Sequence, residues 1–242
     1  MRLDQELVRR GLCESRTEAQ ELIDVGTVFL NNIVCTKKTR QVTEKEDIVV
    51  TSKRKFVSRG GEKLEGVLLD VFGSEDKVRS FCSAKTALDV GSSTGGFTDC
   101  LLSYGVISVD AVDVGTSQLH ARVRDDPRVS VFENTDVRAF KSDKKYDIIV
   151  ADLSFIQLSH VIDDIIKFGA KGTQYFLLIK PQFEVGKGNT KKGIVKDSSL
   201  VDDVLDAYIN LAKEKGVLGV KIFKCVITGG EGNQEFFLYG GN

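Results

Sequence analysis

The sequence predicts a two-domain protein: a small α+β unit over residues 1–52, then a doubly wound α/β unit over residues 62–242 whose last strand runs antiparallel. Three observations predict this. From Gly61 onward, strand-like and helix-like segments alternate, as in a parallel sheet covered on both faces. "TALDVGSSTGGF" sets a glycine-rich turn between a strand and a helix. At "SKRKFVSRGGEKL" the texture changes, with Lys53, Arg54, Lys55 and Arg59 ahead of Gly60-Gly61, and the domain linker is placed there, at 53–61.

In the first unit, Leu3/Leu7 and Val8/Leu12 are each four apart, which gives a short helix a broad apolar face. Gly11 is its C-terminal stop. Ser15, with Glu18 three residues on, forms a capping-box pattern that opens a second helix through about Asp24, ended by Gly26. "TVFLNNIVC" reads as a hairpin turning at Asn31-Asn32, and "DIVVT" as a further strand. In the second unit, helices are expected at 62–72, 96–104, 117–124, 157–168 and 199–215. Strands are expected at 86–90, 107–113, 129–132, 146–151, 174–180, 217–227 and 235–239. The short glycine-rich "TGGEGNQ" between the last two makes them an antiparallel hairpin. A long loop, 181–198, holds Lys187, Lys191, Lys192 and Lys196, and reads as a lid or a disordered segment.

Composition narrows the function. With 41% hydrophobic and 29% charged residues the chain builds a real core. Its net charge of −1 means any nucleic-acid surface must be local. Five cysteines without a C-x-x-C pair, and only His120 and His160, suggest no metal site and no disulfide framework. Neither histidine is assigned a role. The charged start lacks a signal-peptide core and no window is apolar enough to span a bilayer, so a cytoplasmic protein without a membrane partner is expected.

Asp89, Asp113, Asp136 and Asp152 all fall at or just past strand ends, the sheet edge where ligands bind. A pocket rimmed by carboxylates suits a cationic ligand and repels phosphate. Its glycine spacing, G-x-x-x-G-G, does not match the dinucleotide pattern, which argues against a nicotinamide oxidoreductase. S-adenosylmethionine, with sulfonium and ammonium charges, meets the description. Lys180 ends the apolar run "YFLLIK" at the same edge, and Pro181 stops the strand. Lys63 and Glu235 can reach that edge too. Two lysines and two acids balance one another while leaving one lysine available for proton transfer. Phe155 and Phe183 are read as core or lid packing rather than base-stacking residues.

These segments together resemble the TlyA (haemolysin-like) family, which joins an S4 RNA-binding domain to a Rossmann-like methyltransferase domain related to FtsJ. "RLDQELVRRGLCESRTEAQELIDVGTVFLNN" is similar to the S4 module, and "FVSRGGEKL" to the family linker and first helix. "LDVGSSTGGFTDCLL", "ADLSFI", "IKPQFE" and "TGGEGNQEF" follow in the family order. The resemblance implies 2′-O-methylation of ribosomal RNA, at cytidine, with ribosomal RNA or ribosomal subunits as partners. It implies a catalytic set of Lys63, Asp152, Lys180 and Glu235. It places Asp89, Gly91, Ser93 and Gly95 in the cofactor loop, Asp113 at the cofactor ribose and Asp136 at the adenine side. Three positions depart from the family: its Gly-Tyr-Gly reads Gly115-Thr116-Ser117, its Thr-Asn reads Thr135-Asp136, and its Ser-Pro reads Cys225-Val226.

The expected reaction is in-line attack of a ribose 2′-oxygen on the sulfonium methyl group, the reactants held roughly 3–3.5 Å apart. Lys180 is the expected base, with Lys63 as the neighbouring cation that helps hold its amine neutral. Asp152 and Glu235 orient the pair. Arg9, Arg10, Arg16, Lys37, Lys38 and Arg40 are expected to hold RNA phosphates, which gives affinity and salt dependence but little sequence choice. Two rivals are an RNA-binding assembly protein whose methyltransferase fold no longer reacts, and a membrane-active haemolysin, which no apolar segment supports.

Overall fold

The computed structural model describes residues 1–24, 26–51, 55–154, 156–186, 188–229 and 232–242. The chain divides into two units, Met1–Lys55 and Phe56–Asn242. In the first, α1 (Leu3–Arg9) and α2 (Arg16–Asp24) pack on a sheet of β1 (Val28–Leu30), β2 (Ile33–Val34) and β3 (Ile48–Val50), in the order β2-β1-β3 and antiparallel throughout. Leu3 and Leu7 are fully buried, as their four-residue spacing predicts. Asn31 and Asn32 turn the hairpin at φ +49° and +67°, the pair of left-handed residues that matches strand twist. Ser15 caps α2 through the Glu18 N–H at 3.1 Å. The Glu18 carboxylate reaches back to the Glu14 N–H at 2.8 Å, one residue beyond the usual capping-box partner.

The second unit begins with α3 (Arg59–Phe72) and α4 (Glu75–Cys82), followed by β4 (Thr86–Val90), α5 (Gly96–Ser103) and β5 (Ser108–Val112). Next come α6 (Ala121–Arg124), β6 (Val129–Phe132), β7 (Tyr146–Ala151), α7 (Ile162–Ile166) and β8 (Gly169–Ile179). The chain closes with α8 (Pro181–Glu184), β9 (Thr190–Lys191), β10 (Ile194–Val195), α9 (Ser198–Glu214), β11 (Leu218–Lys224) and β12 (Phe236–Gly241). The main sheet has seven strands in the order β11-β12-β8-β7-β4-β5-β6. Neighbours from β8 to β6 are parallel, while β12 is antiparallel to both β8 and β11. Alternation along β8 covers both faces. Phe176 and Leu178 pack with Leu64, Val78 and Leu101 of α3, α4 and α5, whereas Tyr175, Leu177 and Ile179 pack with Ile162 and Tyr208 of α7 and α9. Strand order reverses between β4 and β7, which opens a crevice at their carboxyl ends.

Several elements differ from expectation. Within the expected linker, Lys53 and Arg54 lie outside the described residues. Phe56 is already core at 2% exposed, and the helix expected at 62 starts at Arg59. The reason is a contact between glycine pairs: a Cβ on Gly96 would sit 2.9 Å from the Gly61 nitrogen, so the turn at 58–61 is seated on the start of α5. The helix expected at 117–124 shrinks to α6, because the Glu133 carboxylate accepts the Ser117, Gln118 and Leu119 N–H groups at 2.7, 2.9 and 3.3 Å. Those N–H groups are thereby fixed in a loop, and His120 becomes the α6 N-cap. The helix expected at 157–168 splits into a 3₁₀ turn (Leu158–His160) and α7. The long 181–198 segment contains α8 and the β9–β10 hairpin, and Lys187 lies outside the described residues.

Candidate active site

The crevice between β4 and β7 holds a cleft of about 420 Å³, a size suited to a nucleoside-like ligand. Gly91, Ser93, Asp113, Asp136, Asp152 and Ser154 are among its lining residues, with Val90, Val112 and Ile156 as apolar walls. Gly91 sits at φ +81°, and a Cβ there would stand 2.5 Å from the Asp152 carbonyl oxygen. Only glycine lets the turn after β4 pass so close to the end of β7. Asp113 ties two loops together by accepting the Ser93 N–H at 2.7 Å and the Gly115 N–H at 2.6 Å. Asp136 lines the cleft, but its carboxylate is bound by Arg138, whose guanidinium holds it down at about 2.

Two expected cofactor residues do not line the cleft. Gly95 is the α5 N-cap at φ +90°, and a Cβ on it would meet Val123 and Leu119. Asp89 is fully buried within β4, where one carboxylate oxygen accepts the Thr98 N–H at 3.0 Å and hydroxyl at 2.6 Å, fastening the start of α5. Its other oxygen is buried with no hydrogen-bond partner among the described residues. Burial pushes this carboxyl up to about 7; the charges of Asp152 and Asp113 add to the rise, against the hydrogen bonds from Thr98. A buried carboxyl raised by two neighbouring carboxylates, beside an apolar-walled cleft, fits a ligand that carries positive charge.

The four expected catalytic residues come together as two ion pairs. Lys63 Nζ, on α3, donates to Glu235 Oε2 at 2.5 Å, with side chains 10% and 3% exposed. Lys180 pairs with Asp152 and donates to Ser154 Oγ at 2.9 Å. Lys180 lies one residue past the end of β8, where extended backbone makes it the N-cap of α8 and Pro181 takes the first helical position. The Cys225 thiol is pushed up to about 12, first by burial; the charges of Lys63, Glu235, Asp152 and Lys180 all act on it, so the two pairs converge around this one side chain.

Some participants were not legible in the sequence. Ser154 takes one Lys180 N–H and lines the cleft, yet a lone serine in "ADLSFI" carries no pattern of its own. Phe155, next to it, lies outside the described residues, and Phe183 is half-buried on α8. Glu184 accepts the Tyr208 hydroxyl at 2.6 Å and the Leu158 N–H at 3.2 Å, while Tyr208 accepts the Ser159 N–H at 3.0 Å. This bracket ties the loops carrying Asp152 and Lys180 to α9, through contacts far apart in sequence.

In the first unit the expected RNA-contacting residues are distributed unevenly. Arg10 is spent within the fold, on Glu6 at 2.8 Å and on the carbonyls of Thr43, Glu44 and Glu46. Arg9 binds Glu6, Arg16 binds Asp4, Lys38 binds Asp24 and Arg40 binds Glu46. These four remain substantially solvent-exposed beside their partners, and Lys37 is exposed without an ion pair among the described residues.

Sequence and structure comparisons establish the family. Residues 56–242 match the FtsJ-like methyltransferases and residues 1–49 the S4 domain. The 16S/23S rRNA (cytidine-2′-O)-methyltransferase TlyA of Mycobacterium tuberculosis is 38% identical over 98% of this chain and 88% of its own length. Hemolysin A of Brachyspira hyodysenteriae is 36% identical over 99% of both. A Streptococcus thermophilus protein of known structure with a hemolysin name superposes with a TM-score of 0.75 at 33% identity, covering 100% of this chain and 88% of that one. The chain therefore belongs to the TlyA family of S4-domain, FtsJ-like methyltransferases.

Proposed function

We propose that this protein transfers a methyl group from S-adenosylmethionine to a ribose 2′-hydroxyl of ribosomal RNA, at cytidine, acting in the cytoplasm on the RNA or on a ribosomal subunit. The observation that carries the reading is the convergence of the Lys63–Glu235 and Lys180–Asp152 pairs beside a carboxylate-rimmed cleft. Bound in that cleft, S-adenosylmethionine supplies an electrophilic methyl group on a positively charged sulfur. Asp113 faces the cofactor ribose, and Gly91 and Ser93 let the backbone come close to the ligand. Asp136 and the apolar walls serve the adenine side. Asp89 and Gly95 act indirectly, by setting the turn and the start of α5.

A ribose hydroxyl is a weak acid, so its proton must leave as its oxygen attacks. Lys180 Nζ takes that proton. Ser154 accepts one hydrogen of the Lys180 amine and Asp152 pairs with its charge, so Lys180 gives up its extra proton before its lone pair takes one from the incoming hydroxyl. Lys63, held in place by Glu235, is the second cation beside the reacting groups. Arg9, Arg16, Lys37, Lys38 and Arg40 supply phosphate contacts from the S4 unit, with Arg10 bracing the fold beneath them. Among the described residues no helix is long and apolar enough to cross a membrane, and nothing else in the site favours a membrane-active reading.

The test is to incubate the protein with labelled S-adenosylmethionine and separated ribosomal subunits, then map the modified nucleotide. Label at a cytidine 2′-oxygen is the expected result. Cofactor binding without transfer to any ribosomal RNA would favour an inactive assembly protein instead.

A further inference from the structure

Beside the four charged groups stands a cationic hairpin that takes no part in their chemistry. β9 and β10 pair antiparallel, Lys191 opposite Ile194 and Thr190 opposite Val195. Lys192 and Gly193 close the turn in two residues, at φ +52° and +77°. Such a turn favours asparagine, aspartate or glycine at both positions, so turn geometry does not select a lysine at its tip.

The hairpin is held to the active-site loops. The Asn233 side chain, in a residue only 4% exposed, accepts the Val195 N–H at 3.1 Å and donates to the Gly193 carbonyl at 2.8 Å. Asn233 is two residues from Glu235. On the other side, Gln182 of α8 donates to Glu235 at 3.4 Å, just after Lys180. The hairpin thus springs from the loops that carry Lys180 and Glu235. Lys191, Lys192 and Lys196 are exposed and form no ion pair among the described residues, whereas most basic side chains named above are bound to acids.

We propose that this hairpin is a phosphate clamp: Lys191 and Lys192 grip the backbone of the RNA strand that delivers the target ribose to the cleft. The inference rests on the RNA-methylation reading above and adds a second RNA-holding surface, on the methyltransferase unit itself. Exposed ammonium groups on a fixed turn attract phosphate without selecting sequence, and their contribution falls with salt.

The experiment compares the parent chain with Lys191→Ala/Lys192→Ala and Lys191→Glu/Lys192→Glu. Binding to protein-free ribosomal RNA is measured across a salt series, and methyl transfer is measured on separated subunits. The alanine pair is expected to weaken RNA binding roughly tenfold at low salt and to reduce the slope of log K against log salt by roughly 1.5. The KM for the RNA substrate rises, kcat at saturation and cofactor affinity stay unchanged, and the glutamate pair loses more. Parental RNA affinity and salt slope in the glutamate pair would overturn the clamp. A defect seen only with protein-containing subunits would also overturn it, and would assign the hairpin to an acidic ribosomal protein. If the parent chain methylated no ribosomal RNA, the methylation reading would fail, while the salt slope would still decide the clamp.

Discussion

The S4 unit and the candidate active site both bury carboxylates against basic side chains, and they do so in opposite ways. In the S4 unit only the acid is buried: Asp4 and Glu6 are 0% and 2% exposed, while Arg9 and Arg16 keep about half of their surface in water. Burial pushes the Asp4 carboxyl up, but hydrogen bonds from Gln20, Arg2 and Arg16 outweigh it and hold it at about 2. Hydrogen bonds from Arg9 and Arg10 hold Glu6 at about 2 as well. In the methyltransferase unit both members of the Lys63–Glu235 pair are withdrawn from water, and Lys180 with Asp152 nearly so. Removing both partners from solvent is expensive, and such pairs are weak evidence for stability. One arrangement fixes a fold, and the other places charge where a proton can be moved.

That contrast can be broken by exchange. Replacing the whole Lys63–Glu235 pair with Lys63→Met and Glu235→Leu should cut methyl transfer by roughly 10²-fold or more. The thermal midpoint should hold or rise, since hydrophobic replacement of a buried pair is often neutral or stabilising. Asp4→Ala should do the reverse, leaving the chemistry of bound substrate intact while lowering the S4-unit midpoint by roughly 5–10 °C. Scanning calorimetry alongside methyl-transfer assays reads both. Because Asp4 and Glu6 lie near 2 in the fold and near 4 when unfolded, their stabilisation is present above pH 4 and is lost as pH falls toward 2.

A smaller effect sharpens the comparison from the other direction. Asp89, unlike Asp4, lies above its unfolded value, so its ionisation opposes folding at neutral and alkaline pH, and that cost disappears as pH falls below about 4. A cationic ligand favours the ionised form, so at pH below 7 its binding must release the proton. Affinity for S-adenosylmethionine, measured by calorimetry, should rise up to about tenfold between pH 6 and pH 8. Asp89→Asn should flatten that dependence.

The alternation of strands with helices and the cluster of strand-end carboxylates were readable from the sequence because both follow from local periodicity and from the edge rule for parallel sheets. Lys180 was conspicuous as a charge at the end of an apolar run. Lys63 and Glu235 could be placed near the same edge, but their catalytic role came through family resemblance, since nothing local joins residues 172 positions apart. Side-chain-to-backbone capture hid the rest. Glu133 dissolves a helix that spacing alone predicts at 117–124, and Ser154, Glu184 and Tyr208 act through contacts that leave no periodic trace. The α4 segment escaped notice because its apolar residues are few, although Ser74 caps it as the side-chain rules would have suggested.

Whether Lys180 moves the proton is decided by single-turnover methyl transfer in Lys180→Ala, with cofactor occupancy verified by calorimetry. The rate should be lower by roughly 10²–10⁴-fold with cofactor still bound. A near-parental rate at full occupancy would contradict it.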